Sequence, residues 1–174
     1  MKKTTFLFLL LCFSCEEETN SNQNSEFLFV ASEGNYGDSN GSITMFNGNE
    51  KIHTLENVGD VVQSILVHDD KLFVAVNNSH LIKRFTITET GLQLPGIQIS
   101  TEDSSPREMV VLDGNLYFTN WFSKDIKVLN LTTFSIEESI SIDGVPEDII
   151  TDGKDLWVSV PSIDIYDQGY GTSV

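Results

Sequence analysis

Residues 109–131 read MVVLDGNLYFTNWFSKDIKVLNL, from Met109 to Leu131. Asp113-Gly114 stands between two apolar runs, Met109-Val110-Val111 and Leu116-Tyr117-Phe118. Asp-Gly accepts the left-handed conformation that a tight hairpin demands, so the stretch reads as two antiparallel strands. A polar loop follows, and Asp125 to Leu129 then alternates like a third strand. No 3.6-residue apolar stripe runs through it, which argues against a helix.

The same pattern recurs on either side. The apolar triplet at Leu116 has counterparts at Leu28-Phe29-Val30, Leu72-Phe73-Val74 and Leu156-Trp157-Val158, spaced 44, 44 and 40 residues apart. Ile65-Leu66-Val67 and Ile149-Ile150 precede the second and fourth triplets, across the turns His68 to Lys71 and Asp152 to Lys154. Ser42 to Phe46, Leu81 to Phe85 and Asp125 to Leu129 fill a third slot, and Lys51 to Leu55, Gly96 to Ile99 and Ser135 to Ile142 a weaker fourth. Four short antiparallel strands per unit of roughly 40–45 residues is the pattern of a β-propeller blade. The first strand of each unit is expected to be the most apolar, packed between blades, with the fourth as an edge.

The fold class is therefore all-β, a propeller of four-stranded antiparallel blades. Residues 26–174 hold about three and a half units. Closed propellers have about four to eight blades, so the chain is expected to carry part of a seven-bladed protein whose C-terminal blades are missing. The alternative is a short protein that closes by oligomerisation.

Charge narrows the partners. Ten Lys and Arg stand against 26 Asp and Glu, a net charge of −16. Nucleic-acid binding needs clustered basic charge and is not expected. Hydrophobic residues at 40% are too many for a disordered chain. Both cysteines fall within the first fifteen residues, so the repeats hold no thiol for a disulfide, a metal or a nucleophile.

Those fifteen residues read as an address. Met1-Lys2-Lys3 is basic, Phe6 to Phe13 is apolar apart from Cys12, and Ser14-Cys15 leads into Glu16-Glu17-Glu18. The apolar run has signal-peptide length and is too short to span a bilayer. A small residue before a cysteine at that point resembles a bacterial lipobox, although Cys12 stands where leucine is usual. The expected organisation is a signal peptide over 1–14, an acylated Cys15 with a polar tether over 15–25, and the propeller over 26–174. Loss of residues 1–14 leaves a net charge of −18, so membrane attachment would come from lipid alone. The alternative is a secretory signal with an incidental cysteine. The acidic triplet resembles the export tag that sends some gram-negative lipoproteins to the outer face of the outer membrane; the alternative is a solvated tether.

The repeat itself resembles the YVTN type. Leu116-Tyr117-Phe118-Thr119-Asn120 is close to that motif, Asp125 to Leu131 looks like its partner strand, and Pro106 and Pro146 match its approach to the inner strand. A narrower likeness lies in Glu33 to Gly37, Asn40-Gly41-Ser42, Val58 to Ser64 and Val76 to Ser79. These are similar to surface-exposed propeller lipoproteins of gram-negative bacteria. Some of that group capture cobalamin and pass it to a TonB-dependent outer-membrane transporter. The resemblance implies a lipid-anchored outer-membrane protein, exposed at the cell surface, that holds a corrinoid as ligand and needs no catalytic cofactor.

The candidate site follows from propeller geometry. Segments leading into the inner strand and loops leaving the second strand gather on one face around the central channel. They offer Tyr36, Trp121, Phe122 and Tyr170 beside Gln63, Asn77, Asn78, Arg107, Glu147 and Asp148. Aromatic faces with convergent polar groups suit a flat, polar-rimmed small molecule. The competing reading for Trp121-Phe122 is packing on the next blade. For Arg107 it is an ion pair with Glu108, Glu147 or Asp148, which is the stronger of the two.

Catalytic motifs are absent. His53, His68 and His80 form no HxH or HExxH pair and read as surface or turn residues, so no metal site is expected. There is no GxSxG and no P-loop. A non-enzymatic binding lipoprotein leads. A scaffold propeller that binds protein or glycan is the second reading. A propeller lyase or quinoprotein-like enzyme, with its site in the missing half, is the third.

Overall fold

The computed structural model describes residues 26–162, which hold thirteen strands and no helix. Blade one contains β1 (Phe27–Ser32), β2 (Ser42–Asn47) and β3 (Glu50–Leu55). Blade two contains β4 (Val62–His68), β5 (Lys71–Val76), β6 (Leu81–Thr88) and β7 (Gly91–Ser100). Blade three contains β8 (Pro106–Leu112), β9 (Asn115–Asn120), β10 (Asp125–Asn130) and β11 (Ile136–Ser141). Blade four contributes β12 (Ile149–Thr151) and β13 (Leu156–Val158). Each sheet runs in chain order with antiparallel neighbours, an arc of about three and a half blades.

The Asp-Gly hairpin forms as its sequence demands. Leu112 pairs with Asn115, and Asp113 and Gly114 both take left-handed conformations at φ 49° and 76°. Positive φ at both central residues is the turn whose twist matches the flanking strands.

Blade one begins at the second slot. β1 occupies the position that β5 and β9 hold in their blades, so its inward edge has no neighbouring strand among the described residues. Phe27, Phe29 and Ala31 turn toward blade two, while Leu28 and Val30 lie exposed on the open flank.

The distribution of burial corrects one expectation. In blades two and three the most buried strands are the second and third, β5 in one and β10 in the other, not the first. Leu72, Val74 and Val76 of β5 pack toward blade one with Ile43, Val58 and Val62, whereas Phe73 and Ala75 pack toward blade three with Met109, Leu116 and Phe118. Both faces of β5 are thus covered, and its period-two alternation serves two cores at once. The inner strands β4 and β8 border the central opening and stay half-buried over most of their length.

The outer strand β7 is longer than Gly96 to Ile99. It pairs with β6 from Leu81↔Ser100 to Thr88↔Gly91, with a register break between Arg84 and Thr86. The break lifts Leu94, Pro95 and Gly96 out of the ladder, the behaviour of an extended bulge on an edge strand.

Candidate functional site

The lead-in segments and the loops after the second strands do meet on one face. In each seam, a residue before the inner strand of one blade holds the loop of the blade before it. Asp60 accepts from Gly37 N at 3.0 Å and from Asn78 Nδ2 at 2.5 Å. Ser105 N donates to His80 Nδ1 at 3.1 Å, and its hydroxyl donates to Asn77 Oδ1 at 3.0 Å. Glu147 accepts from Trp121 Nε1 at 2.6 Å. Buried or half-buried polar groups need such partners, and here they fix the loop positions.

The densest cluster spans blades two, three and four. Arg107 stands on β8 with its guanidinium carbon 3.9 Å from the centre of the Trp121 ring. It donates from Nη1 to Gln63 Oε1 at 2.6 Å and from Nε to Glu147 Oε1 at 3.2 Å, and its Nη2 pairs with the same carboxylate. Its side chain is only 17% exposed, so one planar cation is stacked, ion-paired and hydrogen-bonded together. Ser64 Oγ adds a bond to the Arg107 carbonyl at 2.5 Å, and Thr119 Oγ1 donates to the Glu147 carbonyl at 2.8 Å.

Glu108 lies beside this cluster, and its backbone N–H donates to Thr119 Oγ1. Burial raises its carboxyl above the ordinary carboxylate value. Asp148 and Glu147 push the same way, while Arg107 opposes them. The face therefore combines one committed cation with three neighbouring carboxylates.

Of the residues expected here from sequence, Gln63, Arg107 and Trp121 form one network. Asn77 joins the same seam through Ser105 and by donating to the Pro106 carbonyl at 3.0 Å. Asn78 is bound to Asp60 in the preceding seam. Phe122 is exposed, with its ring 5.8 Å from that of His80. Tyr36 is 81% exposed at the tip of the blade-one loop. Tyr170 and Cys15 lie outside the described residues.

Arg107 and Trp121 are held as the competing readings had them, by an ion pair to Glu147 and by contact with blade four. His80 stands in the turn after β5 as read, whereas His53 lies inside β3. His53 Nδ1 accepts from Leu92 N at 3.1 Å, joining blade one to blade two, and His80 accepts from Ser105. Both are seam residues; His68 closes β4, with its Nε2 3.6 Å from Asp69. Among the described residues no three His, Asp or Glu side chains converge as a metal site.

Asp60 and Glu147 are the hubs of this face, and Asp60 went unrecognised in the sequence. The signal was present: Asp60 and Ser105 stand 45 residues apart and Glu147 a further 42, each just before an inner strand.

No family model matches the chain, and no curated protein sequence matches it. Solved structures do. The β-propeller domain of Myceliophteria thermophila Cps50 (Swd1) matches 64% of this chain at 10% identity and TM-score 0.55, covering 38% of that structure. A luciferin-regenerating enzyme matches 83% of this chain at 11% identity and TM-score 0.66, covering 53% of its own length. A protein from Lactobacillus plantarum matches 80% at 15% identity and TM-score 0.66, covering 47% of its length. The chain thus spans between 38% and 53% of the length of these structures. Identities this low carry the fold and nothing finer: the chain folds as an arc of a β-propeller.

Proposed function

We propose that this chain belongs to a non-enzymatic, lipid-anchored surface protein that binds a small flat ligand on the face described above. A corrinoid is the sharpest candidate, with delivery to a TonB-dependent outer-membrane transporter. One observation carries the reading: Tyr36 and Phe122 stand exposed on a loop face whose polar residues are otherwise committed to holding those loops in place. A rigid rim with free aromatic faces binds a planar molecule with little ordering cost. The N-terminal address supports the anchored setting. Residues 1–14 would be removed, Cys15 acylated, and 15–25 would form the tether.

The test is a calorimetric titration of the protein with cobalamin and its precursors. Submicromolar, saturable heat supports the reading, and silence at millimolar ligand overturns its corrinoid form. The anchor is tested separately by palmitate labelling. Incorporation should vanish in Cys15→Ala, and incorporation that survives the substitution overturns the anchor.

Protein or glycan recognition is the second reading. The aromatic pair is exposed rather than pocketed, which suits an extended partner as well as a small one. A capture experiment with Tyr36→Ala beside the unsubstituted chain separates the two when corrinoids are silent.

A further inference from the structure

The 44-residue repeat places Lys83 and Lys127 at the same point of the third strand in blades two and three. Lys127 is buried, and its ammonium lies 3.3 Å from Asp125 and 3.9 Å from Glu102. Counting back 44 residues from those carboxylates gives Leu81 and Val58. Blade two keeps the lysine and lacks its counter-ions. Among the described residues the Lys83 ammonium has one hydrogen-bond partner, the Val58 carbonyl at 2.5 Å. An ammonium carries three donors, so two remain. Lys83 is half-buried, and that partial burial lowers its pKa.

The bulge of β7 opens space beside this lysine. A cavity of about 530 Å³ lies between the end of β3 and the β6–β7 pair. Leu55, Val58, Phe85, Leu94 and Ile97 wall it. Gly96 rests on the Phe85 ring, which a Cβ at that position would strike. The volume falls within the range of small-molecule sites, and the walls are apolar apart from a few polar groups, as such sites require. Glu56 stands at the exposed rim but forms no ion pair with Lys83 among the described residues.

We propose that this cavity binds a small carboxylic acid with a compact apolar body, its carboxylate completing at Lys83 the ion pair that Asp125 and Glu102 make at Lys127. The apolar body would cover Leu94 and Ile97, which are 56% and 42% exposed. The site is separate from the loop face and does not depend on the function proposed for it.

The experiment uses octanoate and octanol as probes, titrated calorimetrically into the full chain below their aggregation limits. Octanoate should bind saturably, at least tenfold tighter than octanol, about 1.4 kcal/mol. Lys83→Met should erase that preference. Ile97→Asp, on the exposed rim, should weaken octanoate at least tenfold without moving the melting curve. Trp121→Ala should leave octanoate binding unchanged. Equal affinity for the two probes overturns the proposal, as does absence of saturable octanoate binding in the unsubstituted chain. Octanoate binding that appears only in Glu56→Gln also overturns it, because the ammonium would then belong to a carboxylate of the chain. If Lys83→Met does not fold, the probe comparison and Ile97→Asp decide.

Discussion

Arg107, for which the sequence favoured an ion pair over ligand contact, is taken up by its neighbours. Its guanidinium is stacked on Trp121, paired with Glu147 and bonded to Gln63. Glu147→Ala should therefore cost about 2 kcal/mol of stability, since it strips a mostly buried cation of its charged partner; chemical denaturation measures it. Tyr36→Ala makes the contrast. The ring is 81% exposed, so stability should stay within about 0.5 kcal/mol, while affinity for a bound planar ligand should fall about tenfold, or 1.4 kcal/mol. A Tyr36 variant that melts early but binds normally would place the residue in the scaffold. Glu108 gives a pH signature. Its carboxyl is raised in the folded protein, chiefly by burial, so the fold holds this proton more tightly than the unfolded chain does. Its favourable contribution is complete below the unfolded value and is lost as pH rises through the folded one. Glu108→Gln should raise the melting temperature at neutral pH, and the gap should close as the solution becomes weakly acidic. The sequence could name three carboxylates around Arg107 but not select Glu147, because the choice depends on how blade four sits against blade three. Lys83 was opaque for the same reason: its isolation appears only when Lys127 is seen beside its two acids.

At the scale of elements, β5 carries the structure. Leu72 and Phe73 point to opposite cores and are almost fully buried. Leu72→Ala and Phe73→Ala should each cost about 3–5 kcal/mol through lost transfer energy and residual cavity. The two losses should add, since the side chains sit in separate cores. Ile150→Ala, at 59% exposure in β12, should fall within about 0.5 kcal/mol. Urea melts of the three single variants and the double variant check all four statements. The strands themselves were legible from sequence, because period-two patterning and Asp-Gly turns are local signals. Ser42, Leu81 and Asp125 each begin a third strand as read. The slot of β1 was legible too, because Leu28-Phe29-Val30 falls in register with the triplets of β5 and β9, but the full length of β7 was not. Pro95 has no N–H for the ladder and marks the break, but pairing resumes on its far side, from Gln93 back to Gly91, which depends on how β6 meets the bulge.

The described residues form an arc with two open flanks. Leu28 and Val30 are exposed at one, and Ile150 and Trp157 at the other. Unpaired strand edges and contiguous apolar surface invite association. The 174-residue chain is expected to self-associate, which light scattering detects; a monodisperse monomer with one cooperative melt would contradict this. Its net charge of −16 acts against compaction. Added salt should therefore raise the melting temperature before any specific effect enters, as screening shortens the reach of that repulsion.

The seams have a consequence for how such a chain can be recombined. Each loop on this face is held by the blade that follows it: Gly37 by Asp60, Asn77 and His80 by Ser105, Trp121 by Glu147. A crossover at a sheet boundary would hand each loop to a foreign clamp. A crossover in a hairpin turn on the opposite face, at His68 to Lys71, Asp113 to Asn115 or Asp152 to Lys154, would transmit loop and clamp together. The heritable module of this protein is therefore offset from its visible sheets, running from one hairpin turn to the next. Chimeras spliced at the turns should keep their loop geometry, where those spliced between sheets lose it.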